Sequence, residues 1–158
     1  MHIIDGHNLL HAICKTVGGT ETISEVGLCR ALSRFFELTG EKGEVVFDGA
    51  GPPDKAGFDT IGNLEVSFAG YGSDTDTVIE DKIKANTAPK RLTIVSSDRR
   101  LRKAARARKA ASVKSDVFWN NIQKQLSRKR RTREPPAKRQ GLSEGETKQW
   151  LEFFGLGQ

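Results

Sequence analysis

Six carboxylates recur at positions from which a folded chain could gather them. Asp5 follows the apolar run HII, Asp48 follows EVVF, and Asp98 follows LTIVSS. Asp74 and Asp76 come after LEVSF and the glycine-rich turn AGYGSD, and Glu80 stands one helical turn beyond Asp76. In an open α/β sheet, ligands bind outside the carboxyl ends of the strands, so acids that end strands converge on one edge. Close carboxylates in a low-dielectric cleft repel one another. They persist if a hard cation holds them, and oxygen ligands with retained water suit Mg²⁺ or Mn²⁺. A carboxylate-held ion can polarise a phosphodiester, lower the pKa of a bound water and stabilise the leaving oxygen. No serine or cysteine nucleophile is needed. The competing explanation is structural, because βα loops favour Asp as a helix N-cap.

Elements that would position these acids are legible. Short apolar or alternating runs predict strands over 1–4, 45–47, 64–68, 92–95 and 112–114. Helical spacing predicts helices over 8–14, 24–38, 75–85, 98–110 and 117–126. Within the second of these, Val26, Leu28, Leu32, Phe35, Phe36 and Leu38 recur near a 3.6-residue period, and Gly40 follows as a stop. GAGPPDKAG reads as a loop. Strands alternating with helices, some of them continuously apolar, argue for a three-layer α/β fold around a mainly parallel sheet. The body is expected to span residues 1–126. Residues 127–141, SRKRRTREPPAKRQG, have no apolar side chain larger than alanine and read as a flexible basic linker. Residues 142–158 regain helical periodicity, with Ser143 and Glu146 as a capping box and Trp150, Leu151, Phe153, Phe154 and Leu156 as an apolar cluster. A lone helix this short is marginal in water, so it is expected to dock on the body or on a partner, the body being favoured because surface Trp and Phe usually find cover.

Composition narrows the class. The chain has 158 residues, 36% hydrophobic and 29% charged. No run approaches the ~20 apolar residues of a membrane helix. MHIIDGHN lacks a basic n-region and a long apolar h-region, so no signal peptide is expected. Cys14 and Cys29 cannot build a disulfide framework or a four-ligand zinc site alone. A reducing cytoplasm is the default, with no membrane association. Charge is divided: residues 90–139 carry 18 of the 26 Lys and Arg against three acids, a net +15, while the remainder carries −9. Such asymmetry signals a polyanionic partner, most often nucleic acid, although a solvated helix face with a basic tail gives the same sum. The helix after Asp98, RRLRKAARARK, starts at the acidic edge, so Arg99, Arg100, Arg102, Lys103 and Arg106 are candidates to hold a phosphate backbone. Arg128, Lys129, Arg130 and Arg131 would extend that track. Few aromatics are interleaved there, and Trp119 reads as a core residue.

The runs IIDGHNLLHA, VVFDG, GSDTDTVIEDKI and IVSSDRRLRKAARARKA, in this order, resemble the YacP-like branch of the NYN domains, within the PIN-like nuclease superfamily. The resemblance covers about residues 1–120. It implies a Rossmann-like parallel sheet flanked by helices and a metal-dependent endoribonuclease activity using Mg²⁺ or Mn²⁺, with no other small-molecule cofactor. By motif match it implies Asp5, Asp76 and Asp98 as metal ligands, with Asp48 the acid after the second strand. It places Glu80 one turn after Asp76 and makes Asn8 a polar support, so that Asp5, Asp76, Asp98, Glu80 and Asn8 form the expected catalytic set. Ser96 or Ser97 would orient a ligand or cap a helix. RNA is the expected partner, free or on a ribosome. Two departures stand out: His7 where the family usually has tyrosine, and Asp74 as an additional acid. The basic linker and the Trp/Phe helix lie outside the matched motifs.

Other readings are weaker. DTDTV fits a phosphatase-type DxDx[TV] motif, but that motif should follow the first strand of its fold. His7 and His11 have the i, i+4 spacing of a zinc pair without a third ligand or an intervening glutamate. AGYGSD lacks the Lys-Ser/Thr of a P-loop. The serious rival is a non-catalytic RNA-binding adaptor with the same fold.

Overall fold

In the computed structural model Ile3 and Ile4 are both buried, but in different cores. Successive side chains of a strand point to opposite faces, so this strand is covered on both sides. Val45 and Val46 divide in the same way, as do Val95 and Ile94. The strands are β1 (His2–Asp5), β2 (Gly43–Phe47), β3 (Leu64–Phe68), β4 (Thr93–Val95) and β5 (Ala111–Val113). They form one sheet in the order β3-β2-β1-β4-β5, every pairing parallel. Leu9 of α1 (Gly6–Thr16), Leu32 and Phe36 of α2 (Glu25–Thr39), and Phe118 and Trp119 of α5 (Ser115–Arg133) share the core on one face. Ile79 and Ile83 of α3 (Thr75–Ala85) and Leu101 of α4 (Arg99–Ala107) fill the other. This is the three-layer α/β arrangement that the alternation predicts. The structure describes residues 1–133 apart from 17, 19–22, 56–57 and 59–61.

Local chemistry fixes the element ends. Ser24 caps α2, its Oγ accepting the Gly27 N–H at 3.0 Å. Ser24→Ala is expected to cost about 1 kcal/mol, read from the midpoint of urea unfolding. Three differences from the sequence reading matter. β1 passes into α1 with no intervening loop. A 3₁₀ turn, Pro89–Arg91, precedes β4. Finally, α5 runs to Arg133, past the expected boundary at 126. Lys, Arg and Gln are good helix formers, and the next proline is Pro135, which disfavours helix in the residue before it. The cationic string after Leu126 therefore begins as helix, where a linker was expected. The rest of that linker and the predicted helix over 142–158 lie outside the described residues.

α1, α4 and α5 follow β1, β4 and β5 directly or within a few residues, and α3 follows β3. Their amino termini thus gather at the carboxyl edge of the parallel sheet. The partial positive charge of these termini favours anionic groups there. Among the described residues no helix is long and apolar enough to cross a membrane.

Candidate functional site

Two carboxylates are buried in the sheet, and they are treated differently. Glu44 of β2 accepts from Lys82 Nζ at 2.8 Å and Ser67 Oγ at 2.9 Å, a closed structural pair. Asp5, the last residue of the central strand, is 6% exposed and pairs with no cation among the described residues. Burial pushes its carboxyl up to about 6, and the charges of Asp76 and Asp48 push the same way. The Asn8 N–H, 3.3 Å from Oδ1, and the Ser96 hydroxyl, 3.4 Å from Oδ2, pull it down. A buried, uncompensated carboxylate is costly to a fold, and such groups cluster at functional sites.

The surrounding polar groups hold this corner rigid. Ser96 is fully buried, and its Oγ also accepts the Asp98 N–H at 3.1 Å, so one hydroxyl connects Asp5 to the turn that carries Asp98. Asn8 Oδ1 accepts the Ser97 N–H at 3.0 Å and the Ser115 hydroxyl at 2.6 Å. Asn8 therefore binds α1 to the turns before α4 and α5. Its amide oxygen is engaged in positioning rather than free for a ligand.

Asp48 is reached from both sides. Its Oδ1 accepts the Thr75 N–H at 3.1 Å and the Thr75 hydroxyl. Its own N–H donates to His7 Nδ1 at 3.1 Å. That leaves the proton of neutral His7 on Nε2, which donates to Glu25 at 3.0 Å. The His7 ring meets Phe47 edge-on at 5.5 Å. The histidine in place of tyrosine thus packs as an aromatic and anchors the Asp48 backbone. Sequence reasoning missed this role. The loops after β2 and β3 are laced together where Gly70 N–H donates to Gly49 carbonyl at 2.8 Å. Both glycines have positive φ, 84° and 76°, which side-chain-bearing residues adopt at a cost. The lacing brings Asp48 beside the start of α3.

The remaining acids divide. Asp74 is the N-cap of α3, its Oδ1 taking the Thr77 N–H at 2.7 Å, and the Thr77 hydroxyl together with that N–H holds its carboxyl below the ordinary range. The additional acid of the motif is a cap, and it follows an edge strand, not the first strand a phosphatase motif would need. Asp76 is half-buried in the first turn of α3. Burial raises its carboxyl, and Asp98, Asp74 and Asp48 add to the effect. Asp98 caps α4, Oδ1 accepting the Arg100 N–H at 2.7 Å. The capping and ligand explanations coexist here, because capping takes one of two carboxylate oxygens. Glu80 is bound in a fork by Arg100, Nε to Oε1 at 2.6 Å and Nη2 to Oε2 at 3.1 Å. That hydrogen bond lowers the Glu80 carboxyl. The sequence reading makes Glu80 a catalytic acid and Arg100 a phosphate contact; in the structure each is paired with the other.

Asp5, Asp48, Asp76 and Asp98 therefore share one edge, electrostatically coupled. Their donor set, four carboxylates with no Lys or Arg ion pair among the described residues, fits a hard divalent ion. Among the described residues no three His, Cys, Asp or Glu side chains stand close enough to hold a metal as placed. The zinc reading of His7 and His11 also finds no third ligand, and Cys29 is buried with its thiol pushed up to about 12 by burial. Of the expected phosphate contacts, Arg99, Lys103 and Arg106 are exposed along α4, while Arg102 is half-buried. Arg128 lies thirteen residues from Ser115 along α5, roughly 20 Å from the acidic edge, and residues 129–131 lie farther on. A nucleic acid would have to run the length of α5 to touch both sets.

The crystal structure of Rae1 (YacP) from Bacillus subtilis superposes with a TM-score of 0.68 at 19% identity, over 98% of this chain and 92% of that one. A tryptophan-to-leucine mutant of the same protein gives 0.64 at 19% identity, over 92% and 87%. At this identity the likeness is one of fold. No curated protein matches the sequence. A family model, the YacP-like NYN domain, matches residues 2–154. The match runs beyond the motifs near 120, through the cationic stretch and into the Trp/Phe segment. With an Asp-lined carboxyl edge on a five-stranded parallel sheet and a family match over nearly all its length, the chain belongs to the YacP-like NYN domain family.

Proposed function

We propose that the protein is a divalent-metal-dependent endoribonuclease. NYN domains are typically ribonucleases, which makes RNA the natural substrate class. The observation that carries the reading is Asp5: a carboxylate buried without a cation at the carboxyl end of the central strand, facing the charges of Asp76 and Asp48. Asp5, Asp76 and Asp98, with Asp48, would hold Mg²⁺ or Mn²⁺. When bound, such an ion supplies Lewis acidity toward the scissile phosphate and charge stabilisation in the transition state. The chain's own groups do the positioning. Ser96 and Asn8 fix Asp5, His7 and Thr75 fix Asp48, and the exposed cations of α4 steer the phosphate backbone toward the edge. Glu80 acts through Arg100 as a positioning residue of the α3–α4 contact.

Cleavage of a structured RNA is expected in Mg²⁺ or Mn²⁺ and is expected to stop in EDTA. Asp76→Asn should slow it by about a hundredfold or more. Glu80→Gln should cost no more than about tenfold, because its charge is already spent on Arg100. Near wild-type turnover of Asp76→Asn in Mn²⁺ would remove Asp76 from the mechanism. RNA binding with no cleavage under any divalent ion would favour the adaptor. Mapping 5′ ends across a transcriptome with and without the protein would identify the RNA cut, and whether it is met on ribosomes.

A further inference from the structure

A cleft of about 610 Å³ opens beside the acidic edge, between α1 and the first turns of α4 and α5. Lys15, Arg99, Arg102, Lys114 and His11 line it, against a single acid, Asp116. Asn8 and Ser97, hydrogen-bonded at 3.0 Å, form the wall shared with the Asp5 corner. Among the described residues none of these four Lys and Arg side chains is in an ion pair. Arg102 Nε is buried with no hydrogen-bond partner, although a buried donor is costly to leave unmatched. Cations crowded into a concave site repel one another, and the cleft focuses their field on an anion. The amino termini of α4 and α5 add to that field.

We propose that this cleft is a phosphate subsite for RNA, one that holds a phosphate of the substrate away from the acidic edge while another lies at the acids. The inference rests on RNA being the substrate. It adds His11, Lys15 and Lys114, which lie outside the cationic run of α4, and it replaces a linear track with a socket. The shared ligand chemistry is an RNA phosphate, either an internal diester or the terminal 5′-monophosphate, which carries nearly twice the charge.

The test is binding of two short RNAs, one with a 5′-monophosphate and one with a 5′-hydroxyl, titrated in EDTA across a salt series. The pocket variant is Lys15→Ala/Lys114→Ala. The charge-matched control is Lys109→Ala/Lys124→Ala, two exposed lysines away from the cleft. The pocket variant is expected to lose about tenfold or more in affinity and to flatten the log-affinity against log-salt slope by about 1.4, two contacts at roughly 0.7 each. The control should lose less than about threefold. Loss confined to the 5′-monophosphate RNA assigns the socket to the terminal phosphate, and equal loss for both RNAs assigns it to an internal diester. A pocket variant that tracks the control on both RNAs overturns the proposal. Because no cleavage is read, a protein that binds through the socket but never cuts would sink the nuclease reading alone. One that cuts with binding indifferent to the socket would sink only the socket.

Discussion

Replacing Asp5 with Asn is expected to make the protein more stable and to abolish cleavage, two effects of opposite sign from one atom change. The stability effect follows from titration. The Asp5 carboxyl is held near 6 in the fold, against 3.8 in the unfolded chain, so ionising it costs the fold about 3 kcal/mol. The sign is set by which state holds the proton. Below about pH 4 the group is protonated in both states and the cost is absent. Between about pH 4 and 6 the unfolded chain has released its proton while the folded chain keeps it, so stability falls as pH rises through this window. Above it the loss is complete. Asn cannot ionise and keeps an oxygen to accept the Asn8 N–H. The advantage of Asp5→Asn should therefore be near zero at pH 4, grow to pH 6 and stay level to pH 8. Its ceiling is about 3 kcal/mol, less whatever the altered Ser96 contact removes. Urea unfolding at the three pH values in EDTA reads it. With excess Mg²⁺ the gap should narrow, because an ion that binds only the folded wild type stabilises only the wild type. Cleavage should fall by about a hundredfold or more, as for loss of any group that organises transition-state charge. A residue that weakens its fold and supports turnover is kept for function. Equal stability of the two proteins from pH 4 to pH 8 would show that Asp5 is an ordinary cap.

The legibility of this site depended on distance along the chain. Asp5, Asp48 and Asp98 could be read because each ends an apolar strand, and a parallel sheet puts those ends on one edge whatever the order of its strands. The three layers were legible for the same reason, since continuous apolar runs such as HII, VVF and TIV call for cover on both faces. The Arg100–Glu80 fork was not legible. It joins residues twenty apart on two helices whose registry is set by Ile79, Ile83, Leu101 and Ala105 packing in one core. His7 was hidden because its i, i+4 partner His11 suggested a helix-borne pair, whereas its real contacts are the Asp48 backbone and Phe47 ring across β1 and β2. Lys15 and Lys114 lie almost a hundred residues apart, and only the placement of α1 next to the β5–α5 turn joins them in one cleft. Charge runs are visible in a sequence, but charges assembled from separate elements are not.

Gly6→Ala is expected to be the most damaging single methyl that can be added beside the site. Gly6 opens α1 immediately after Asp5 and is buried against β2. A Cβ there would overlap the Phe47 ring and stand 3.0 Å from the Val46 carbonyl oxygen. The ring cannot swing aside, because Phe47 is fully buried and bracketed by His7, Phe58 and Phe68 at centroid distances of 5.5, 6.3 and 5.9 Å. The relief must come from α1 moving off β2. That movement carries Asp5 and Asn8 with it and loosens the bonds to Ser96, Ser97 and Ser115. Overpacking of this kind costs about 1–3 kcal/mol, and a displacement of about 1 Å at reacting groups costs about a hundredfold in rate. Stability and turnover should thus fall together, unlike in Asp5→Asn. A double-mutant cycle identifies the cause. Phe47→Leu alone loses ring contact and is destabilising, but it opens space for the new methyl. The pair Gly6→Ala/Phe47→Leu should be more stable than the sum of the singles by about 1 kcal/mol, and it should recover part of the lost turnover. Costs that add to within about 0.5 kcal/mol, together with full activity of Gly6→Ala, would show that the helix start is free to shift without disturbing the acids.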